Sequence, residues 1–384
     1  MRIVFISNYF NHHQKPFCEE MYNRLGEDFT FISTITMRDE RKQLGYAQDL
    51  KPAYVLLAYE GDENKLLAES LLMNADVVIA GSVAQEWLKA RIKAGKLIFR
   101  YAERPFKKKI SFPKKLYHTL KHHKNNFPQR NIYMLCASAY TAKDYYSMGM
   151  YKGRTYRWGY FPEVKEYDLP SLMNKKNRHT LMWCGRFLDW KHPDDAIFVA
   201  RKLKADGYSF RLKFVGTGDM EEKLKDLVEE NDLSDCVIFL GSMKPEQVRE
   251  HMEEAGIYLF TSDYREGWGA VLNESMNSGC AVVASHAIGS VPFLLKDGQN
   301  GYVYQSNDRN MLYEKVKYLL ENPEEQIRLG KEAYKTMSTK WNAHIATERL
   351  LELLRSVMEG EKIPDIFEEG PCSKASVISD KWSE

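Results

Sequence analysis

"HTLMWCGRFLDWKHPDD", residues 179 to 195, runs from an apolar stretch through Gly185 into a turn that carries Arg186 and Lys191. A short apolar strand followed by a polar turn and a helical stretch is one βα unit, and the same alternation extends in both directions. Downstream come "FRLKFVG" (210–216), "CVIFLG" (236–241), "GIYLFTS" (256–262), "CAVVAS" (280–285) and "GYVY" (301–304), separated by helical segments such as "MEEKLKDLVEEN" and "PEQVREHMEEA". Upstream lie "RIVFIS" (2–7), "FTFIST" (29–34), "ADVVIAG" (75–81), "KLIFRYAE" (96–103) and "IYMLCAS" (132–138). Apolar runs that alternate with helices are the rhythm of parallel sheets in α/β proteins.

The two series are separated by Tyr156 to Arg178, a stretch with two prolines, several charges and no apolar period. The fold expected is therefore α/β, with two Rossmann-like doubly wound parallel-sheet domains facing a central cleft. The boundaries read as 1–160, a linker at 161–178, a second domain at 179–340, a helix at 341–361 crossing back to the first domain, and a mobile tail at 362–384. Crevices open at the carboxyl ends of parallel strands, so a ligand is expected between the domains.

Composition narrows the function. The chain has 384 residues, 44% of them apolar, which is enough to bury the cores of two domains. No run of about 18 apolar residues occurs, and no signal-peptide pattern precedes the first strand, so the protein reads as cytoplasmic. Six scattered cysteines without C-x-x-C spacing argue against a disulfide framework or a cysteine zinc site. Net charge is +2, yet residues 1–170 hold 27 Lys and Arg against 18 Asp and Glu. The excess is concentrated at 89–130, where "RPFKKKISFPKK" and "KHHK" predict an anionic partner: a phosphate-bearing acceptor or, by peripheral contact, the inner face of an anionic membrane. Nucleic acid is not the partner expected.

The segment "REGWGAVLNE" (265–274) places Glu266 and Glu274 eight positions apart around two glycines. In one continuous helix they would stand about 80° apart, so a shared ligand requires Glu266 to come from the loop before a helix that starts near Ala270. The backbone N–H groups at such a start are a seat for phosphate, and carboxylates on either side can accept hydrogen bonds from sugar hydroxyls. Arg186 and Lys191 would supply the positive charge that a diphosphate needs. No Asp-x-Asp triple is present, so no metal is expected on the nucleotide. Each acid taken alone would be an ordinary surface residue.

Five blocks in order, "CGRFLDWK" (184–191), "FVGTGDMEEKL" (214–224), "VIFLGSM" (237–243), "EGWGAVLNE" (266–274) and "IGSVPFLLKDGQNGYVY" (288–304), resemble the second domain of a retaining GT-B glycosyltransferase of the family 4 type. The resemblance implies that Arg186 and Lys191 bind the donor diphosphate and that Glu274 holds the ribose. It implies that Glu266, with the backbone after it at Gly267, Trp268, Gly269, Val271 and Leu272, holds the donor sugar. The base would lie near Gly241 and Met243, Gly216 would line the nucleotide site, and Trp341 would begin the segment that crosses back. A nucleotide diphosphate sugar would be the donor, a glycan or lipid-linked glycan the acceptor, and a surface polysaccharide the product.

The first half departs from that pattern: "SNYFNHHQKPF" (7–17) stands where relatives often have a glycine pair, and "RYAERPF" (100–106) where they often have a histidine. His12, His13, Arg100 and Glu103 are the candidates there for the acceptor or sugar side. His118 and His122 have the i, i+4 spacing of metal ligands, but no third ligand accompanies them. Two alternatives stay open, a sugar-nucleotide epimerase of the same fold and a non-catalytic nucleotide-sugar-binding protein.

Overall fold

Val, Ile and Phe dominate the strands, and the strands pair in parallel throughout two sheets. The structure, a computed structural model, describes residues 1–37, 52–108, 110–126, 131–380 and 382–383. The first sheet contains β1 (Ile3–Ser7), β2 (Phe29–Ser33), β3 (Val55–Leu57), β4 (Val77–Ala80), β5 (Ile98–Ala102), β6 (Ile132–Cys136) and β7 (Thr155–Arg157), in the order β3-β2-β1-β4-β5-β6-β7. The second contains β8 (Asn177–Cys184), β9 (Arg211–Val215), β10 (Val237–Phe239), β11 (Ala255–Phe260), β12 (Ala281–Ser285) and β13 (Tyr302–Tyr304), in the order β10-β9-β8-β11-β12-β13. In both sheets the order reverses once, between β1 and β4 and between β8 and β11. Such a reversal opens a crevice at the strands' carboxyl ends.

Helices on both faces explain why most central strands carry successive rather than alternate apolar residues. β1, β4, β6, β11 and β12 are buried along their whole length. Registers such as Ile3 opposite both Phe29 and Val77 set adjoining apolar side chains side by side. In the second sheet Leu181, Trp183, Phe187, Leu212, Phe214 and Ile257 form the centre of one continuous core.

The chain divides into two compact units. One comprises 1–162 and 343–378, the other 163–342 and 379–384. The helix Ala343–Met358 thus belongs to the first unit, although it follows the second in sequence. The stretch expected as a linker is partly ordered by the helix Leu169–Lys175, whose N-cap Asp168 accepts a hydrogen bond from the Ser171 amide at 3.1 Å.

The expectation of a mobile tail at 362–384 is overturned for its described residues. Residues 372–375 pair antiparallel with the edge strand β7: the Arg157 amide donates to Ser373 O at 2.7 Å, Cys372 to Arg157 O at 2.8 Å, and Ala375 to Thr155 O at 3.0 Å. Tyr156 and Tyr133 hydroxyls donate to Pro364 O and Lys362 O, each at 3.0 Å. Cys372 and Ala375 are 1% and 4% exposed. The tail is held by backbone pairing that covers a sheet edge, an interaction that needs no apolar period and so leaves no trace in composition.

Candidate active site

In the second unit the strand ends converge on glycine. A Cβ on Gly216, whose φ is +129°, would lie 2.0 Å from Gly185 O, so no side chain fits there. The Gly216 amide donates to Gly241 O at 2.8 Å, and the Gly185 amide to Val215 O at 3.0 Å. The ends of β8, β9 and β10 are thereby drawn together as bare backbone.

Across the reversal between β8 and β11, two loops are tied to each other. The Trp183 indole donates to Thr261 Oγ1 at 2.8 Å, and the Thr261 hydroxyl donates to Lys191 O at 2.6 Å. The Asp263 amide donates to Trp190 O at 3.0 Å. This scaffold sets the Lys191 ammonium 2.5 Å from Glu266 Oε2, and Ser262 Oγ donates to the same oxygen at 3.1 Å. Lys191 and Glu266 are each only 12% exposed, so their attraction is weakly screened by water. Glu266 Oε1 accepts no hydrogen bond among the described residues.

Two further side chains are uncommitted. Arg186 is exposed and has no ion-pair or hydrogen-bond partner among the described residues. Glu274 follows Ala270, the N-cap of the helix Val271–Asn277, and its carboxyl is raised above the usual carboxylate range by burial, with Arg249 pulling the other way. Burial pushes the neighbouring Cys184 thiol up to about 12, Glu274 adding to that rise and Lys191 opposing it. The same thiol thus senses both Lys191 and Glu274.

A charged belt adjoins the pair. Burial tends to raise Asp263, but the His192 imidazole 3.6 Å away and hydrogen bonds from Arg265 outweigh it and hold the carboxyl at about 2. Arg265 Nη2 lies 2.9 Å from Asp263 Oδ2 and Arg265 Nη1 3.1 Å from Asp189 Oδ2. His192, Asp194 and Asp195 bring potential ligand atoms within 4.8 Å of one another, but Arg309 pairs with both carboxylates at 2.6 and 2.5 Å.

The first unit has a cavity of about 440 Å³ at its own reversal. Ser7 and Asn8 after β1, Gly81 and Ser82 after β4, and Glu103 after β5 line it, with His13 and Tyr160. Glu103 accepts from the Tyr160 hydroxyl at 2.8 Å and from the Lys107 ammonium at 2.5 Å. His13 stacks on Tyr160 with ring centroids 5.9 Å apart.

Residues 165–336 match the family model described as Glycosyl transferases group 1. That stretch is similar to a group 1 glycosyltransferase domain. Over 247 residues the chain is 28% identical to the amylovoran biosynthesis glycosyltransferase AmsK of Erwinia amylovora, a match covering 62% of this chain and 60% of that protein. Over 122 residues it is 31% identical to the putative colanic acid biosynthesis glycosyltransferase WcaL of Salmonella typhimurium, covering 30% of each. The chain therefore spans less than two thirds of the length of these curated relatives. Anabaena Alr3699/HepE, solved in complex with UDP, superposes with a TM-score of 0.68 at 15% identity over 93% of this chain and 100% of that one. At that identity the likeness is one of fold: two Rossmann-like units, as in GT-B glycosyltransferases.

Within residues 165–336 the residues singled out from sequence separate by role. Lys191 and Glu266 meet, while the side chains of Arg186 and Glu274 make no hydrogen bond among the described residues. Gly216 and Gly241 join through backbone, and Met243 lies in the half-buried loop that follows. Gly267 is buried and Val271 half-buried. Gly269 has φ +82°, and a Cβ there would lie 2.3 Å from the Phe260 ring. Trp268 and Leu272 are corrected to packing roles: both are 0% exposed, and Trp268 donates to Asn273 Oδ1 at 2.8 Å beside Trp341 and Phe293. Their backbone is committed as well, since Trp268 O accepts from Ser290 Oγ at 2.6 Å and the Leu272 amide donates to Gly269 O at 3.0 Å.

In the first unit Glu103 and His13 line the cavity, whereas His12 stacks on His13 with centroids 3.8 Å apart and is not among the lining residues. Arg100 is a correction: its guanidinium binds Gln85 Oε1 and Asn126 Oδ1, each at 2.8 Å, away from the cavity. Sequence reasoning did not reach Trp183, Thr261, Ser262 and Asp263. Their signal was available in part, since "TSD" (261–263) directly follows a strand at the reversal.

Proposed function

We propose that this protein transfers a sugar from a nucleotide diphosphate sugar to a hydroxyl of a glycan or lipid-linked glycan, with retention of configuration, on the cytoplasmic side during surface-polysaccharide assembly. The observation that carries the reading is the Lys191–Glu266 pair at the β8/β11 reversal, accompanied by Arg186 and Glu274, whose side chains make no hydrogen bond among the described residues. An arginine left exposed at a strand-to-helix turn is suited to bidentate capture of phosphate oxygens. A carboxyl kept partly buried without a hydrogen-bond donor is suited to a ribose hydroxyl.

As the glycosidic bond breaks, negative charge grows on the departing diphosphate. Arg186 and Lys191 stabilise that charge more than they stabilise the bound substrate, which lowers the barrier without a divalent cation. Glu266, with Oε1 unoccupied and Oε2 fixed by Lys191 and Ser262, positions the sugar hydroxyls. The group 1 match supports transferase chemistry, the names of AmsK and WcaL support exopolysaccharide assembly, and HepE's complex with UDP supports a nucleoside diphosphate.

Thermal unfolding with UDP, GDP, ADP and TDP tests the donor site, since a ligand at about 100 times its Kd adds roughly 2.7 kcal/mol. One of the four should raise Tm in buffer containing EDTA, and Glu274→Ala should remove the rise. If none does so, with or without magnesium, the reading fails. Release of nucleoside diphosphate from the matching sugar donor only when an acceptor is added then distinguishes transfer from epimerisation.

A further inference from the structure

The helix Phe112–Asn126 is built inside out. On an ordinary surface helix the apolar stripe faces the core and polar residues face water. Here Phe112 is 79% exposed, Leu116 49%, Tyr117 60% and Leu120 63%. The face turned toward the unit is polar instead. His123 Nε2 bonds Met148 O at 2.7 Å, the buried Asn126 bonds Arg100, and His122 meets Tyr145 edge-on at 5.7 Å. At 100° per residue, the exposed residues from Phe112 round to Lys114 occupy one arc of about 200°. The apolar side chains fill most of it, Lys114 and Lys121 are exposed along its other flank, and the exposed Lys124 lies between Leu120 and Tyr117.

Charge selects the occupant. No Asp or Glu occurs between Glu103 and Asp144, and Lys107 and Lys108 precede the helix. An apolar ridge with a lysine flank fits a bilayer surface, where leucine and aromatic side chains enter the acyl boundary and long lysine stems keep their ammonium groups among the headgroups. The lysines are complementary to acidic lipids. A protein partner would need acids facing those lysines and a matching apolar groove, while a nucleic acid would gain nothing from the two leucines.

We infer that the helix Phe112–Asn126 is a membrane-docking element that lies in the interface of a bilayer containing anionic lipid. Its mooring is rigid. The loop leading to it is pinned by the buried Arg104–Asp144 pair, with Nε–Oδ2 at 3.1 Å and Nη2–Oδ1 at 3.0 Å, and by the Phe106 amide on Asp144 at 3.1 Å. The same loop begins at Glu103, which lines the first unit's cavity. Docking would therefore hold that cavity at a fixed distance from the lipid surface, where an acceptor carried on a lipid presents its hydroxyls.

Co-sedimentation with vesicles of phosphatidylcholine plus phosphatidylglycerol, against pure phosphatidylcholine, is the test. The native chain should pellet with the mixed vesicles only, and the bound fraction should fall as salt is raised. The exposed-site double variant Leu116→Glu/Leu120→Glu should bind about tenfold more weakly or worse, as should Lys114→Glu/Lys121→Glu/Lys124→Glu. Circular dichroism and the nucleotide-induced Tm rise should be unchanged in both, so that failure of docking and failure of the donor-site reading are told apart. The inference is overturned if the native chain ignores anionic vesicles or if both variants bind as it does. It is also overturned if sedimentation velocity shows a dimer that Leu120→Glu dissociates while vesicle binding persists, because the face would then cover a second copy.

Discussion

At the reversal of the second sheet the backbone itself comes to the surface, with Gly216 against both Gly185 and Gly241, and with Lys191, Glu266, Arg186 and Glu274 as the ionisable groups. At the reversal of the first sheet, side chains make the surface: Ser7, Asn8, His13, Glu103 and Tyr160 enclose a cavity of about 440 Å³. One topology thus ends in two kinds of site. Bare amides and fixed cations suit a group of high negative charge, because N–H dipoles close to phosphate cost no reorganisation. A cavity of hydroxyl, amide, imidazole and carboxylate groups suits a neutral polyol, which needs many directional hydrogen bonds and little net charge.

The glycines give the sharpest way to break this contrast. Gly216→Ala places a Cβ 2.0 Å from a backbone carbonyl at a φ of +129°, so strand ends must separate. A loss of about 3–5 kcal/mol is expected, measured by urea denaturation, together with loss of nucleotide binding. Gly81→Ala in the first unit meets the Ser7 hydroxyl at 2.9 Å, which can rotate away, and looser contacts at 3.3 Å to Ser7 Cβ and 3.4 Å to the Phe5 ring. Its cost should stay near 1 kcal/mol or below. Equal effects in the two variants would show that close backbone approach is not what distinguishes the sites.

Next in size is the chemistry. Arg186→Ala should lower kcat/KM by about a hundredfold, or roughly 3 kcal/mol, and abolish the nucleotide-induced Tm rise, since its guanidinium supports no other described group. Glu103→Gln in the first unit should leave that Tm rise intact and raise KM for the acceptor. If Glu103→Gln removes the nucleotide response, the division of labour between the units is wrong.

The same contrast explains what could be read from sequence. Strands were legible where a glycine or a helical stretch set off the apolar run, as at β10 and β13, while β3 and β7, of three residues each, lack such a frame and went unread. Lys191 and Glu266 were legible because glycine-flanked charge at a strand-to-helix turn has a local signature. The Trp183–Thr261–Lys191 relay was not, because it joins loops about 70 residues apart through sheet order rather than through spacing. In the first unit, Arg100 and Glu103 stand three apart on an extended chain and face opposite ways, so a single strand end supplied one cavity residue and one packing residue. Trp268 and Leu272 fell on the wrong side of a similar ambiguity, since residues at a helix start can be packed into the core whole, backbone included.

Titration should separate the two units by sign. In the second unit the hydrogen bond to Asp263 raises His192 above its ordinary value, burial opposing it and Asp195 and Asp194 adding to it. A raised folded value means that this stabilisation is fully present below the unfolded pKa, near 6.5, and is lost as pH rises through the folded one. In the first unit His122 is lowered, by burial first and then by His118, Arg100, Lys121 and His123. A lowered value works the other way, since the unfolded chain takes up protons first as pH falls below about 6.5, and native stability drains away from that point downward. Lowering the pH from about 8 to about 5.5 should therefore strengthen amide protection around β8 and β11 and weaken it around the helix Phe112–Asn126. Hydrogen exchange resolved by segment reads both. His192→Gln should flatten the first trend alone and His122→Gln the second alone. A common response of both segments would mean that neither imidazole carries the local pH dependence.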